Sequence, residues 1–318
     1  MKKVLFSLVC AVLAFAAVAE PTRAERIRAK LDSNDRNYVF VTMHRGDWRH
    51  YPENSKDAIL GAIAMGADVV ELDVAPTKDG HYVLLHDGKL DRVANGKGKA
   101  KDLTLAEIKK YRLWSVDKNG NIDRTKVSKY EILTLEEAFA LTKGNILVNL
   151  DKYPRDPKGI TEVTIKCGVQ KEIVFKSTIP KPQLRKQLGE ALWARFESGE
   201  LFYMPIVYTW QKDKCEPQFN EWQAGPKLPG AYEVCFKDEK NLAVIEKLGA
   251  MKAPCPRLWI NTLWDSLCAG HTDERGHGGD AEGSWGWCLN QGATMIQTDR
   301  PVDCMKYLEK LGRRSLDK

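Results

Sequence analysis

The chain has 318 residues, of which 43% are hydrophobic and 29% charged, and a formal net charge of +6. This composition is ordinary for a globular protein, and the length is enough for one large α/β domain. The mild positive charge gives no case for a nucleic-acid partner, and the sequence has no low-complexity tract or fixed-period repeat that would indicate a disordered or repeat protein.

The N-terminus has the pattern of a bacterial secretory signal peptide. The basic start MKK precedes the apolar run VLFSLVCAVLAFA, and residues 17–19 (AVA) form a small-x-small cleavage signal. The apolar run is short for a membrane-spanning helix, and Val9 before Cys10 argues against a lipid anchor. We therefore expect a signal peptide at 1–19, a single mature domain at 20–318, export to the periplasm or the medium, and no stable membrane insertion.

Cysteine usage leaves the redox state open. One of the eight cysteines lies in the predicted signal, which leaves 8 − 1 = 7, all in the second half of the chain. No pair has CxxC spacing, so we expect no zinc site. An oxidising compartment would permit disulfides, yet an odd number leaves at least one thiol free or paired outside the chain. Buried free thiols are an equally good interpretation.

The first half of the mature chain begins as an alternation of helices and strands. A polar helix is predicted at about 22–32 and an apolar strand at 38–44. A helix capped by Asn54 or Ser55 follows, and its apolar stripe ends at Gly66. The next strand, 68–77, leads into the turn signal KDG, so residues 81–87 are predicted to return as a hairpin partner.

Residues 88–130 interrupt this alternation as a Gly- and Lys-rich insertion. It contains a short helix with a capping box at Thr104 and Glu107, and it holds 12 Lys or Arg residues against 5 Asp or Glu residues. The insertion is either a basic flap that attracts an anionic substrate or a solvated face. Beyond it, helical patterns separate predicted strands at 146–153, 172–177, 202–208, 231–236, 257–263 and 294–299, and a last helix begins at Arg300.

This series of eight or nine strands predicts an α/β fold, a closed (β/α)8 TIM barrel with a β-hairpin at strands 2 and 3 and a small insertion. The alternative is an open doubly wound sheet, but no GxGxxG motif follows the first strand. In a (β/α)8 barrel, functional side chains stand at the carboxyl ends of the strands. The residues at those ends are therefore the candidates for a site.

Polar side chains do follow the predicted strands. Glu71 and Asp73 are two residues apart on one strand and share a face. Two like charges held so close cost energy unless water or a cation neutralises them. The other strands end in polar or aromatic residues as well, at His44, Arg45, His86, Asp87, Asp151, Lys176, Asn261, Trp264 and Asp299.

An ordered set of motifs over about 38–310 resembles the glycerophosphodiester phosphodiesterase family. The motifs are HRG, PENS, ELDV…TKDG…LLHD, DLTLAEIKK, TLEEAF and QTDRP, in that order. HRG alone is a weak signal, whereas the whole set at these spacings is specific. The resemblance implies a (β/α)8 barrel, one divalent cation, and two histidines that act as acid and base.

Carried over residue by residue, the resemblance implies that His44 and His86 are the catalytic pair and that Arg45 holds the phosphate. It also implies metal ligands at Glu71, Asp73 and Asp151. At the third of these positions the family usually has a glutamate, and Lys152 beside it is a further departure with no role that the sequence assigns.

The chemistry of these residue types agrees with the resemblance. Three carboxylates suit a hard cation, either calcium or magnesium. An arginine can form a fork to phosphate oxygens. The ordinary pKa of histidine allows it to give or take a proton near neutrality, and the sequence does not say which of the two is the base.

Several neighbouring residues have more than one interpretation. Glu53 is either a partner of Arg45 or a charge that complements the helix dipole, and Asp87 either orients His86 or caps its loop. Asp299 is assigned to the cap of the last helix.

Later in the chain, Lys176 and Trp264 are candidates for substrate binding. Trp264 opens the loop 264–287, which contains six glycines, two histidines and three tryptophans. This loop is either a substrate lid or a structural Ω-loop.

The expected function is metal-dependent hydrolysis of a small glycerophosphodiester to sn-glycerol 3-phosphate and an alcohol. One alternative is a phospholipase D-like or glycerophosphoinositol-type phosphodiesterase on the same barrel. A phospholipase should have an apolar rim facing the membrane, and the sequence has no long apolar loop. Another alternative is a binding protein that has lost catalysis, yet none of the core residues is missing.

Overall fold

The structure is a computed structural model and describes residues 20–224, 229–251 and 255–316. The predicted signal peptide lies outside the described residues. The strands are β1 (Phe40–Met43), β2 (Val69–Pro76), β3 (Tyr82–Leu84), β4 (Arg112–Val116), β5 (Ile122–Glu131), β6 (Leu147–Asp151), β7 (Ile173–Ser177), β8 (Phe202–Tyr208), β9 (Ala231–Cys235), β10 (Arg257–Asn261) and β11 (Ala293–Thr298).

The α-helices lie between most of these strands. They are α1 (Arg23–Asp32), α2 (Lys56–Ala64), α3 (Leu105–Ile108), α4 (Leu135–Thr142), α5 (Pro157–Lys166), α6 (Lys181–Leu188), α7 (Glu190–Ser198), α8 (Lys212–Gln223), α9 (Ala243–Gly249), α10 (Asp265–Cys268), α11 (Asp273–His277), α12 (Trp287–Asn290) and α13 (Pro301–Lys310). Threonine or serine side chains cap several of them, and the predicted capping box of α3 is present at Thr104 and Glu107.

Eight parallel strands close into a barrel in the order β1, β2, β6, β7, β8, β9, β10 and β11, and β11 pairs back with β1. β3 lies antiparallel to β2, with Val74 opposite Leu84. The (β/α)8 barrel with a hairpin at strands 2 and 3 is therefore confirmed, and the open sheet that was its alternative is wrong.

The barrel interior changes from apolar to polar along the strands. Near the amino ends, side chains from all eight strands, among them Phe40, Val69, Leu147 and Trp259, form one buried cluster that α1 covers. Because side chains alternate, residues two and four positions further along each strand continue the same inner face. On β2 these residues are Glu71 and Asp73, so the polar site lies at the carboxyl end of the barrel.

The insertion has a small apolar core of its own. Leu90, Val93, Ala100 and Leu113 pack with residues of the β2–β3 hairpin such as Val83. β4 and β5 form a separate antiparallel pair, which the sequence did not predict. Most β5 side chains are exposed or half-buried, so the strand lacks the apolar face by which strands are recognised in a sequence.

The loop that follows β10 is partly packed against the end of the barrel. It contains α10, α11, one π-helical turn at Glu282–Gly286 and α12. Trp285 is buried and donates a hydrogen bond to Oδ1 of Asp273, which also accepts from the hydroxyl groups of Thr262 and Thr298. These contacts favour the structural interpretation for the part of the loop around Trp285. Residues 264–266 and 277–280 are exposed, and the side chain of Trp264 is 51% exposed.

Free thiols occur at Cys167, Cys235, Cys255, Cys268, Cys288 and Cys304. In the part of the chain that the structure describes, no helix is both long enough and apolar enough to span a membrane.

Candidate active site

Three carboxylates converge at the carboxyl end of the barrel. Parallel pairing of β2 with β6 sets Asp73 beside Asp151, and Glu71 precedes them on the inner face of β2. One oxygen from each side chain lies within 4.8 Å of the others. Across residues 20–224, 229–251 and 255–316, no other group of three His, Cys, Asp or Glu side chains comes as close.

These carboxylates have the properties of a metal site. Oδ2 of Asp73 accepts a hydrogen bond of 2.9 Å from the Asn54 side-chain amide, whereas its buried Oδ1 has no hydrogen-bond partner among the described residues. Burial, and next the charge of Asp73, raise the pKa of Glu71 to about 8. Repelling charges and an unsatisfied oxygen are what a hard cation would neutralise, so the cluster could hold a divalent ion.

Two lysines partly neutralise the third carboxylate. Nζ of Lys152 lies 2.6 Å from Oδ2 of Asp151 and 3.9 Å from Oδ1 of Asp73. Nζ of the buried Lys176 lies 3.1 Å from Oε2 of Glu233 and 3.9 Å from Oδ1 of Asp151. Burial alone would raise the pKa of Asp151, but the two lysines outweigh it and hold that pKa below its usual range.

His44 stands at the end of β1 against a carboxylate from the end of β11. Its Nδ1 lies 2.9 Å from Oδ1 of Asp299, which also accepts a hydrogen bond of 2.6 Å from the indole of Trp48. Burial would lower the pKa of His44, but the hydrogen bond and charge of Asp299 reverse this effect and raise it. The indole of Trp264 meets the imidazole edge to face at 5.7 Å.

The interpretation of Asp299 as a helix cap is wrong. The residue before α13 is Arg300, and no side chain caps that helix. Asp299 instead turns back toward His44, with its backbone N–H held by Oδ2 of Asp273 at 2.7 Å. Asp299 follows the last strand, where functional residues of such barrels lie, so the sequence did contain a signal for its role. The helix that begins two residues later favoured the interpretation as a cap instead.

A chain of ion pairs joins His86 to Arg45. Nδ1 of His86 lies 2.7 Å from Asp87, and Arg92 donates to Asp87 at 2.8 Å and to both oxygens of Glu53 at 2.7 Å. Glu53 in turn accepts from Arg45 at 3.1 Å. Asp87 thus contacts His86, as the interpretation of Asp87 as its orienting partner predicted. Glu53 contacts Arg45, as the interpretation of Glu53 as its partner predicted. Arg92, from the insertion, was missed.

Arg45 connects this chain to the carboxylates. Its backbone N–H donates to Oε2 of Glu71 at 2.9 Å, and its Nε lies 3.4 Å from Oδ2 of Asp73. Both Arg45 and Gly46 have positive φ, and a Cβ on Gly46 would stand 2.6 Å from the carbonyl oxygen of Ala58. A glycine is therefore required for the turn that aims Arg45 into the site.

Residues 44–175 match the model of the glycerophosphoryl diester phosphodiesterase family, and residues 203–308 match the model of a domain of unknown function. A glycerophosphodiester phosphodiesterase of Caldanaerobacter subterraneus subsp. tengcongensis is 46% identical over 136 residues, which cover 41% of this chain and 52% of that protein. Glycerophosphodiester phosphodiesterase 1 of Bos taurus is 42% identical over 192 residues, 57% of each chain. The chain thus spans about half the length of these relatives.

Solved structures with the same fold cover nearly the whole chain. A glycerophosphoryl diester phosphodiesterase from Parabacteroides distasonis superposes with a TM-score of 0.65 at 21% identity, over 91% of this chain and 92% of that chain. An Oleispira antarctica phosphodiesterase, solved in complex with the product sn-glycerol-3-phosphate, gives 0.57 at 19% identity over 86% and 97%. Residues 44–175 thus match the glycerophosphoryl diester phosphodiesterase family, and the barrel has the fold of these solved phosphodiesterases.

Proposed function

We propose that this protein is a metal-dependent glycerophosphodiester phosphodiesterase that releases sn-glycerol 3-phosphate and an alcohol. The observation that carries the proposal is the meeting of three carboxylates with two imidazoles, each paired through Nδ1 with an aspartate. The family-model match over residues 44–175 and the named relatives support the same activity. The N-terminal pattern supports export to the periplasm or the medium.

Glu71, Asp73 and Asp151 would hold the divalent ion, either calcium or magnesium, since carboxylate oxygens suit both. When bound, such an ion polarises a phosphoryl oxygen and offsets the charge that develops at phosphorus. The protein's own contribution is the fixed position of the carboxylates: the Asn54 side chain both accepts from the Asp73 backbone N–H at 3.1 Å and donates to the Asp73 carboxylate.

His44 and His86 would move the protons. With a carboxylate accepting at Nδ1, that nitrogen carries the proton, and Nε2 of each ring is left for the reaction. One ring takes the proton of the glycerol hydroxyl that attacks phosphorus, and the other gives a proton to the departing alcohol. Water then opens the resulting cyclic phosphate to give sn-glycerol 3-phosphate. Asp299 and Asp87 hold the rings in orientation, as carboxylate partners of catalytic histidines do. Asp299 also favours the charged form of His44 by raising its pKa.

Positive charge and an aromatic wall would bind the substrate. The guanidinium of Arg45 would bind a phosphate oxygen through its positive charge. Lys176 adds a second cation at the wall of a cavity of about 310 Å³, which Asp151 and Tyr208 also line. The exposed face of Trp264, next to His44, offers apolar contact to the organic part of the diester.

Purified protein incubated with glycerophospho-choline, -ethanolamine, -glycerol and -inositol tests this proposal. We expect glycerol phosphate to be released from at least one substrate with calcium or magnesium, and the release to stop with EDTA. His44→Ala and His86→Ala should lose about 10²–10⁴-fold in rate. His277→Ala is the matched control, because His277 is also paired with an aspartate, Asp303 at 2.7 Å, but lies outside the site. Full activity of either site variant would refute the assigned roles.

A further inference from the structure

A basic cavity lies beside the candidate site, between the β2–β3 hairpin and the insertion. Its volume is about 490 Å³, and its walls include Lys89, Lys99, Lys101 and Arg155. Asp87 and Gly88 form the side toward His86. The cavity therefore opens next to one of the two imidazoles.

The backbone forces two of these lysines together. Lys89 and Lys99 form an antiparallel bridge, supported by backbone hydrogen bonds between residues 88 and 100 and between residues 90 and 98. Residues directly opposite in such a pair have neighbouring side chains, and like charges there are destabilising. Lys101 follows two residues after Lys99, past the buried Ala100.

Nothing among the described residues neutralises this charge at close range. Lys89, Lys99 and Lys101 are exposed and make no ion pair within 4.0 Å there, although the charge of Asp91 acts on Lys89 from further away. Asp91 itself accepts a hydrogen bond from the Gly98 backbone. The carboxylate in the cavity wall, Asp87, is already engaged by Arg92 and His86.

Arg155 ties the cavity to the metal-binding end of the barrel. Its guanidinium donates to the carbonyl oxygens of Val74, Leu85 and His86 at 2.8, 3.2 and 2.9 Å. It also lines the neighbouring cavity that contains Asp151 and Lys176. A molecule whose phosphodiester lies beside Asp151 can thus extend past Arg155 toward the three lysines.

We propose that this cavity binds a second phosphate carried by the head group of the substrate. The inference rests on the proposed function and specifies its substrate class: glycerophosphodiesters whose alcohol is itself phosphorylated. Clustered lysines with a preformed backbone, beside a site for one phosphate, fit a second phosphate better than they fit a neutral or cationic head group such as inositol or choline.

Glycerophosphoinositol and glycerophosphoinositol 4-phosphate, which differ by a single phosphate, provide the test. We expect KM to be about tenfold lower for the phosphorylated substrate, as roughly 1.4 kcal/mol of added binding would give. Added salt should shrink this preference, because the lysines are exposed. The variant Lys99→Ala/Lys101→Ala should lose most of it. The control Lys110→Ala/Lys126→Ala removes the same charge from the insertion outside the cavity and should keep it.

Direct calorimetric titration of the wild type with the same two compounds separates this inference from the proposed function. If neither compound is cleaved, the proposed activity fails, while tighter binding of the phosphorylated compound that requires Lys99 and Lys101 still supports the cavity. The second-phosphate inference would be overturned if the wild type bound both compounds equally. It would also be overturned if both double variants still preferred the phosphorylated compound. Lysine-dependent binding to phosphatidylserine vesicles without any preference between the two compounds would overturn it as well.

Discussion

Nδ1 of His44 lies 2.9 Å from Oδ1 of Asp299, and Nδ1 of His86 lies 2.7 Å from Oδ1 of Asp87. The two imidazoles are therefore held in the same way, by aspartates that come from different parts of the barrel mouth. This arrangement fixes one nitrogen of each ring and leaves the other for proton transfer.

Asp299→Asn should lower the pKa of His44. Burial favours the neutral ring, and Asp299 is the main influence that reverses this and raises the pKa. Without its charge, the limb of the pH–rate profile to which His44 contributes should move to lower pH. We also expect kcat/KM to fall by about 10²-fold, since an amide can hold the ring in the wrong tautomer.

The control for this variant is Asp303→Asn, which alters the exposed pair of Asp303 with His277. It should change neither the rate nor the pH profile. If Asp299→Asn left the pH profile of kcat/KM where it is in the wild type, Asp299 would not act through His44.

Arg92→Ala should impair both stability and activity. It removes the partner of both Glu53 oxygens and of Asp87, and Glu53 is nearly buried. Leaving such a carboxylate with Arg45 alone should cost about 1–3 kcal/mol of unfolding free energy, measured by urea denaturation. Arg124→Ala, at an exposed position of β5, should cost almost nothing. Equal stability of the two variants would show that the ion-pair chain contributes little.

Lys176→Met should be strongly destabilising because it leaves Glu233 charged and buried. Breaking a buried pair at one partner costs about 3–5 kcal/mol. Lys176→Met/Glu233→Gln removes that unpaired charge and should recover much of the unfolding free energy.

The KM of the double variant then separates a role of Lys176 in substrate binding from a purely structural role. If Lys176 binds the substrate, KM of the double variant stays high although its stability has recovered. A double variant with wild-type KM would limit Lys176 to a structural role.

Calcium or magnesium should raise the melting temperature of the wild type, because a ligand that binds only the folded state stabilises it. Glu71→Gln should show little of this rise. In EDTA, however, Glu71→Gln should melt at or above the wild type, because burial and the charge of Asp73 already disfavour the ionised form of Glu71, and the amide never carries that charge. Asp280→Asn, at an exposed residue, should behave as the wild type does in both conditions. A metal-induced rise of equal size in Glu71→Gln would place the ion elsewhere.

The barrel was predictable because its strands are short apolar runs between helical patterns. The β4–β5 pair was not, since β5 carries mostly exposed polar side chains and its pairing is set by tertiary structure. The same difference applies within the site. Glu71 and Asp73 share a face because of strand periodicity, which can be counted in a sequence.

Contacts between residues that are distant along the chain cannot be predicted from strand periodicity. Arg92 meets Glu53 across 39 positions, and Asp299 meets His44 across 255. Lys176 was predicted at the site, but its closest ion-pair partner, Glu233, was not predicted. The two residues lie on β7 and β9, which are not adjacent in the barrel.

The most direct measurement is phosphorus NMR of glycerophospho-choline, -ethanolamine, -glycerol and -inositol, each incubated with the purified protein. With calcium or magnesium, the signal of at least one diester should be replaced by that of sn-glycerol 3-phosphate, and with EDTA or with His44→Ala it should persist. If all four diester signals stay unchanged under every metal condition, or if a signal disappears equally fast in EDTA, the result would contradict a metal-assisted reaction carried out by the two histidines.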